Sequence, residues 1–352
     1  MRNIDSYLHT LLERKGSDLH FAADQPIRIR LNGRLEAIDE TSYSPDDVEE
    51  AMQAICPPDR WEHFKQTHDL DFAYEIPEVA RFRTNFFVNT NGPGAVLRHI
   101  PSRVTTLKEL GMPKVMTDLC HIRSGLILIT GPTGSGKSTT LAAMIDYINS
   151  NYYKHIITIE EPIEFVHANK RSFIVHREVG VHSPSFSQAL LSAMRSDPDI
   201  VLIGEMRDLD TIRTGLSCAG MGMLVFATLH TNNAPKTIDR IIDAFPADEQ
   251  AQIRTMLAES LRGIASQILC RRKAGGRVAA HEILLWNEGL PNCIREGQIS
   301  NIRTIIESHK SEGMCSMDGS LRELMLAGVI SAEEAYMKAS DKKLFQQYVS
   351  FI

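Results

Sequence analysis

The hydrophobic and polar positions of the chain change rhythm once, near residue 100. Before that point apolar and polar residues alternate: IRIRL and RLEAI flank Asn32-Gly33, and DLDFAYEI, ARFRTNFFV and GAVLRHI come later. Period-two alternation sends every second side chain to one face of a sheet, so these segments are predicted as half-buried strands. Asn32-Gly33 supplies the two positive-φ residues of a type I′ turn and predicts a hairpin, while Asn91-Gly92-Pro93-Gly94 is expected to turn the later meander. Between the two sets, DDVEEAMQAI and PPDRWEHFKQ read as helices, the second opening on prolines that suit a first helical turn. Residues 1–100 thus form one α+β domain, with a boundary in Ile100-Pro101-Ser102-Arg103 and a linker over 101–111.

Beyond the boundary the apolar runs become continuous. GLILIT, HIITIE, IVLIGE and MLVFATLH alternate with the helical stretches LAAMIDYIN, FSQALLSAMR and TIRTGLSCAG. Strands buried on both faces carry such unbroken runs, and their alternation with helices predicts a parallel sheet covered on both sides. The fold class is therefore α/β, with a nucleotide-binding core expected over 112–270. Residues 271–352 are read as a helical region (LPNCIREG, ISNIRTIIESHK, SLRELMLAG, SAEEAYMKA), entered through a β-hairpin of IASQILCRR and RVAAHEILLW.

Composition narrows the partners. At 352 residues and 43% hydrophobic content the chain can bury a sizeable core. Its net charge of −6 argues against affinity built on neutralising phosphate backbones, so no nucleic-acid partner is expected. The six cysteines include no C-x-x-C pair, which suggests neither a zinc site nor a disulfide framework and fits a reducing cytoplasm. The N-terminus MRNIDSYLHT has no apolar signal region, and no run approaches the roughly 18 apolar residues of a membrane span. No direct membrane insertion is expected; any membrane association comes through partners.

The chemistry is concentrated in the second half. GPTGSGKST runs Gly131, Pro132, Thr133, Gly134, Ser135, Gly136, Lys137, Ser138, Thr139, directly after the strand GLILIT and directly before a helix. In this pattern the glycines permit positive-φ turns that aim successive N–H groups inward, making an anion nest at a helix N-terminus. Lys137 then reaches the β- and γ-phosphates of ATP, and Ser138 is a hydroxyl ligand for Mg²⁺. The loop is expected to be exposed. Hydrolysis needs a carboxylate at a neighbouring strand end, and in DIVLIGEMRD that is Glu205, assigned as general base although the Asp that usually closes such a strand is missing. Glu160, Glu161 and Glu164 follow the strand HIITIE and are candidates for the metal's water shell; a solvated charge run is the plain alternative. His230 follows VFATL in the same way and is a candidate γ-phosphate sensor or proton relay, against the alternative of a capping histidine.

With these residues in place, GPTGSGKSTT, IITIEEPIEFVH, DPDIVLIGEMRD and FATLHTNNAPKTIDRIIDAFP resemble the Walker A, Asp-box, Walker B and His-box motifs of the secretion ATPases, in the order and spacing of their type IV pilus retraction branch. The likeness runs from GSDLHFAA to IREG. It implies a PAS-like N-terminal domain, a RecA-like ATPase domain and a homo-hexameric ring that drives pilus retraction and twitching motility. It also implies an inner-membrane platform protein and a paralogous ATPase as partners, and a place at the cytoplasmic face of the membrane. Glu205 becomes the catalytic glutamate, Glu160 and Glu161 the Asp-box acids and His230 the His-box histidine. ARFRTN and VLRHIP resemble the segment that sends arginines to a neighbour's nucleotide, which implicates Arg81, Arg83 and Arg98. The chain departs from the pattern at Glu161, where Asp is usual; at Met223, in the place of an earlier His-box histidine; and at Gln298, where the retraction motif ends in a cation. Assembly ATPases of pilus extension or type II secretion are the nearest alternative, but commonly carry an added N-terminal domain and a four-cysteine metal site. A non-hydrolysing accessory subunit is a further one.

Overall fold

A computed structural model describes residues 3–31, 33–100 and 103–349. They form two compact units, Met1–Arg103 with Glu161–Val166, and Val104–Glu160 with His167–Ile352.

The first unit is an antiparallel six-stranded sheet. Its strands are β1 (Asp18–Ala22), β2 (Pro26–Leu31), β3 (Arg34–Ser42), β4 (Asp69–Ile76), β5 (Ala80–Asn89) and β6 (Gly92–Ile100), in the spatial order β3-β2-β1-β6-β5-β4. Alternate residues Leu19, Phe21, Ile27, Ile29, Phe82, Phe86 and Leu97 face a core closed by the helices Ile4–Glu13, Pro45–Ile55 and Pro58–Thr67. Phe86 anchors it, with the Phe72 ring 5.0 Å and the Phe64 ring 5.6 Å away. The expected hairpin is β2–β3, paired from Leu31 opposite Arg34. The residue that would define its turn type, Asn32, lies outside the described residues, as do Pro101 and Ser102 of the expected boundary. The meander turns earlier than expected. Asn89 pairs with Gly92, so Thr90 and Asn91 form the turn, and Gly92, Pro93 and Gly94 already belong to β6.

The second unit is a seven-stranded sheet. Its strands are β7 (Gly125–Thr130), β8 (His155–Glu160), β9 (Phe173–Glu178), β10 (Ile200–Ile203), β11 (Leu224–Leu229), β12 (Leu261–Arg271) and β13 (Arg277–Leu285), in the order β13-β12-β7-β11-β10-β8-β9. All neighbours are parallel except β12 and β13. The continuous apolar runs have a direct cause: Leu126 and Leu128 enter one core, Ile127 and Ile129 the other. One face is covered by the helices Phe186–Ala193, Leu209–Gly220, Ala234–Ile242 and Gln250–Ser260, the other by Lys114–Leu119 and Lys137–Asn151. Strand β9 was not anticipated, because an edge strand needs no unbroken apolar run and FIVHRE has none. The predicted C-terminal hairpin, β12–β13, is part of this same sheet: β12 lies parallel to β7, so the expected division at 270/271 falls inside one continuous sheet.

Candidate active site

Because β7, β11, β10 and β8 are parallel, their C-terminal ends share one edge. Register places Thr130 beside Leu229, and Ile203 beside Ala227 and Ile159. The loop after β7 begins at Gly131, β10 leads into Gly204-Glu205, β11 into His230, and Glu160 ends β8. Four separate sequence motifs thus meet where ligands bind in open α/β sheets.

In the phosphate loop, Gly131, Gly134 and Gly136 take φ values of 145°, 77° and 89°, as the nest requires. Gly131 also has no room for a side chain: an added Cβ would sit 2.3 Å from the Gln267 carbonyl oxygen and 2.6 Å from Ser135 Oγ. The expectation of an exposed loop holds only for Pro132, Thr133 and Gly134; Gly131, Ser135 and Lys137 are buried, with Ser138 and Thr139 half-buried. Lys137 Nζ donates to the carbonyls of Gly131 at 2.9 Å and Pro132 at 3.2 Å, folding the ammonium into its own loop. Among the described residues, buried Ser135 Oγ has no hydrogen-bond partner.

The loop is held from a strand that sequence reasoning did not connect with it. Gln267 on β12 is 1% exposed; its Nε2 donates to the Ser135 carbonyl at 2.7 Å, and its Oε1 accepts from the Thr140 hydroxyl at 2.9 Å. Its neighbour Ser266 meets the Thr130 hydroxyl at 2.7 Å, fixing the last residue before the loop. The polar Ser-Gln pair inside the apolar stretch IASQILC of β12 was the available signal.

The Glu205 carboxylate is clamped on both oxygens. Arg207 Nε lies 2.7 Å from Oε2, and His230 Nε2 lies 3.2 Å from Oε1. The strand ends beneath them are tied by the Gly204 N–H donating to the Ile159 carbonyl at 2.8 Å and the Met206 N–H donating to the Thr228 carbonyl at 3.0 Å. Gly204 sits so close that an added Cβ would come within 3.3 Å of the Glu160 backbone. Arg207 was not singled out in the sequence, where it reads as one more charge of GEMRD. Met223 precedes β11 and so stands at the far end of the strand from His230, about 20 Å away for a six-residue strand. Its departure from the family pattern therefore lies off this edge.

The acidic cluster divides. Glu160 ends β8 in the second unit, whereas exposed Glu161 and half-buried Glu164 belong to the first. Glu164 Oε1 lies 3.6 Å from Arg83 Nη1. The three candidate arginines gather on the outward face of the first sheet, Arg81 and Arg83 on β5 and Arg98 on β6, with Arg83 directly opposite Arg98. Each faces an acid: Arg81 Nε lies 3.5 Å from Glu75, Arg83 Nη2 3.5 Å from Asp71, and Arg98 Nε 2.7 Å from Asp18. Burial pushes the Asp18 carboxyl up, but hydrogen bonds from the Ser17 hydroxyl and the Arg98 guanidinium outweigh it and hold the group below the usual carboxylate value.

The family model described as type II/IV secretion system protein matches residues 1–337. A type IV pilus retraction ATPase, PilT, of Pseudomonas aeruginosa is 48% identical over 92% of this chain and 94% of its own length. A twitching motility protein of Neisseria gonorrhoeae is 46% identical over 90% of this chain and 84% of its own. A crystal structure of the pilus retraction motor PilT with bound ADP superposes with a TM-score of 0.90 at 38% identity, covering 99% of this chain and all of that one. With the family model matched along almost the whole sequence and relatives aligned nearly end to end, the chain belongs to the type II/IV secretion system protein family.

Proposed function

We propose that this protein is the ATP-hydrolysing subunit of a homo-hexameric ring that powers type IV pilus retraction. The observation that carries the reading is the shared sheet edge, where a phosphate nest lies beside a carboxylate held by His230 and Arg207. The near full-length similarity to a pilus retraction ATPase selects retraction over the assembly alternative.

In this reading Lys137 leaves the Gly131 and Pro132 carbonyls for the β- and γ-phosphates. The inward N–H groups of the loop bind the remaining phosphate charge. Glu205 orients the attacking water and accepts its proton, and His230, touching the same carboxylate, reports whether a γ-phosphate is present. Among the described residues no group of three or more His, Cys, Asp or Glu is placed to hold a metal ion. That donor set fits Mg²⁺, which keeps several waters and takes the rest of its shell from phosphate oxygens and a single hydroxyl, here Ser138. When bound, Mg²⁺ would spread the charge of the β- and γ-oxygens, and Glu160 would hold part of its water shell.

Arg81, Arg83 and Arg98 are assigned to a neighbouring copy's nucleotide. They share the outward face of the first sheet, on β5 and β6. No helix among the described residues is long and apolar enough to cross a membrane. We therefore place the ring in the cytoplasm, acting on the membrane through an inner-membrane platform protein and working beside a paralogous ATPase. The test is twofold: the purified ring must hydrolyse ATP, and deletion in the parent organism must leave surface pili present but twitching lost. A ring without turnover, or a deletion strain that lacks pili, overturns the proposal.

A further inference from the structure

His230 sits on a short connection between the end of β11 at Leu229 and the helix that starts at Ala234. The start of that helix is fixed by Asn233 Oδ1 accepting the Lys236 N–H at 2.9 Å and by the Thr231 and Thr237 hydroxyls meeting at 2.7 Å. A third contact comes from far along the chain: Glu282 Oε1, on β13, accepts the Ala234 N–H at 2.8 Å. The same strand holds the helix Met317–Leu326, its His281 N–H donating to Ser320 Oγ at 3.1 Å. Both helices already have caps of their own, Asn233 and Ser316, so neither needs Glu282 to begin. The carboxylate therefore sits at a helix N-terminus, where unpaired N–H groups and aligned peptide dipoles favour negative charge. Burial raises the Glu282 carboxyl above its usual value, an effect that the Ala234 N–H and Arg303 only partly offset and to which Asp318 adds.

The strand pairing adds to this. Glu282 lies opposite Ser266, the residue whose hydroxyl holds Thr130 at the entrance of the phosphate loop. The β12–β13 pair consequently touches both halves of the candidate active site, the loop through Ser266 and Gln267 and the His230 connection through Glu282.

We propose that Glu282 is a positioning residue for His230, tying the connection that carries His230 to β13 and to the helix Met317–Leu326 packed on that strand. This rests on the reading of the chain as an ATPase with His230 beside the γ-phosphate, and the test keeps the two apart. Steady-state kcat and KM for ATP are measured on the full-length ring for wild type, Glu282→Gln and Glu282→Asp, with Glu282→Gln also combined with His230→Ala. Thermal melting is followed in parallel. Glu282→Gln keeps one acceptor but loses the charge; it is expected to lower kcat at least about fivefold with KM within about twofold. Glu282→Asp keeps the charge but draws the carboxylate one methylene back from the Ala234 N–H, so it is expected to lower kcat in the same direction. In the His230→Ala background the Glu282→Gln effect should shrink to less than about twofold, since residues acting through one another are not additive. A folded Glu282→Gln ring with wild-type kcat, or an undiminished loss without His230, overturns the proposal and leaves Glu282 a structural cap. If Glu282→Gln does not fold, wild-type kcat in a folded Glu282→Asp ring overturns it as well. Absence of turnover in the wild-type ring would instead sink the ATPase reading.

Discussion

Replacing Gln267 by leucine tests whether the phosphate loop depends on its neighbour strand. The substitution keeps most of the buried bulk but strips both hydrogen bonds, to the Ser135 carbonyl at 2.7 Å and from the Thr140 hydroxyl at 2.9 Å. Each buried polar group left without a partner costs about 1–3 kcal/mol. The Thr140 hydroxyl can turn towards the Gly136 carbonyl one helical turn back, so its share falls at the low end, whereas the Ser135 carbonyl is fixed in the loop. The sum is about 2–4 kcal/mol, which for a unit of this size lowers the melting temperature by about 4–16 °C. Because Ser135 and Thr140 bracket Lys137 and Ser138, the loosened loop should also bind ADP about tenfold more weakly, equivalent to about 1.4 kcal/mol. Glutamate at 267 should be worse than leucine, since it sets a carboxylate against the Ser135 carbonyl. Thermal melting and titration with a fluorescent ADP analogue read both effects. A Gln267→Leu protein that melts within about 1 °C of wild type and binds ADP unchanged would refute the argument that this contact shapes the loop.

Lys137→Ala should take ATP turnover below about a tenth of wild type while leaving a folded ring, because the phosphates lose their principal cation; turnover and circular dichroism decide it. Glu205→Gln preserves shape and the contact with Arg207 but cannot accept a proton, so ATP should be bound and remain uncleaved, and weakened nucleotide binding would count against the assignment of Glu205 as base. Replacing Arg81, Arg83 or Arg98 should in at least one case slow hydrolysis by about 10³-fold or more with ATP binding kept, and mixing that variant with Glu205→Gln should restore some activity. Mixed rings with verified subunit exchange and no recovery would argue against action across subunits. Burial holds the His281 imidazole neutral with its pKa pushed down to about 4, so its contribution to stability is present above the ordinary histidine value of about 6.5 and is lost as pH falls from there towards 4. His281→Gln should therefore flatten the acid limb of a urea-midpoint against pH curve, and an unchanged slope would show that His281 does not take up a proton on unfolding in that range.

What the sequence alone could determine was whatever local spacing encodes. The nest in Gly131–Lys137 needs glycines at set positions, and the structure meets that need with three positive φ angles. The parallel sheet was legible because strands covered on both faces leave no polar alternation, and Glu205, His230 and Glu160 could be recognised as residues just past such strands. Edge strand β9, half polar, carried no such mark. Tertiary structure alone decided which distant residues complete the site. Gln267 holds a loop 132 residues earlier in the chain, and Glu282 holds a helix start 48 residues earlier. Arg207 becomes the second arm on Glu205 only once both emerge from β10 beside β11. The acids after β8, contiguous in sequence, were parted between two units. The physical reason is one of range. Backbone dihedral preferences and hydrophobic periodicity act over a few residues and can be read locally, whereas a buried hydrogen bond between two strands depends on their order in the sheet, which no single segment contains.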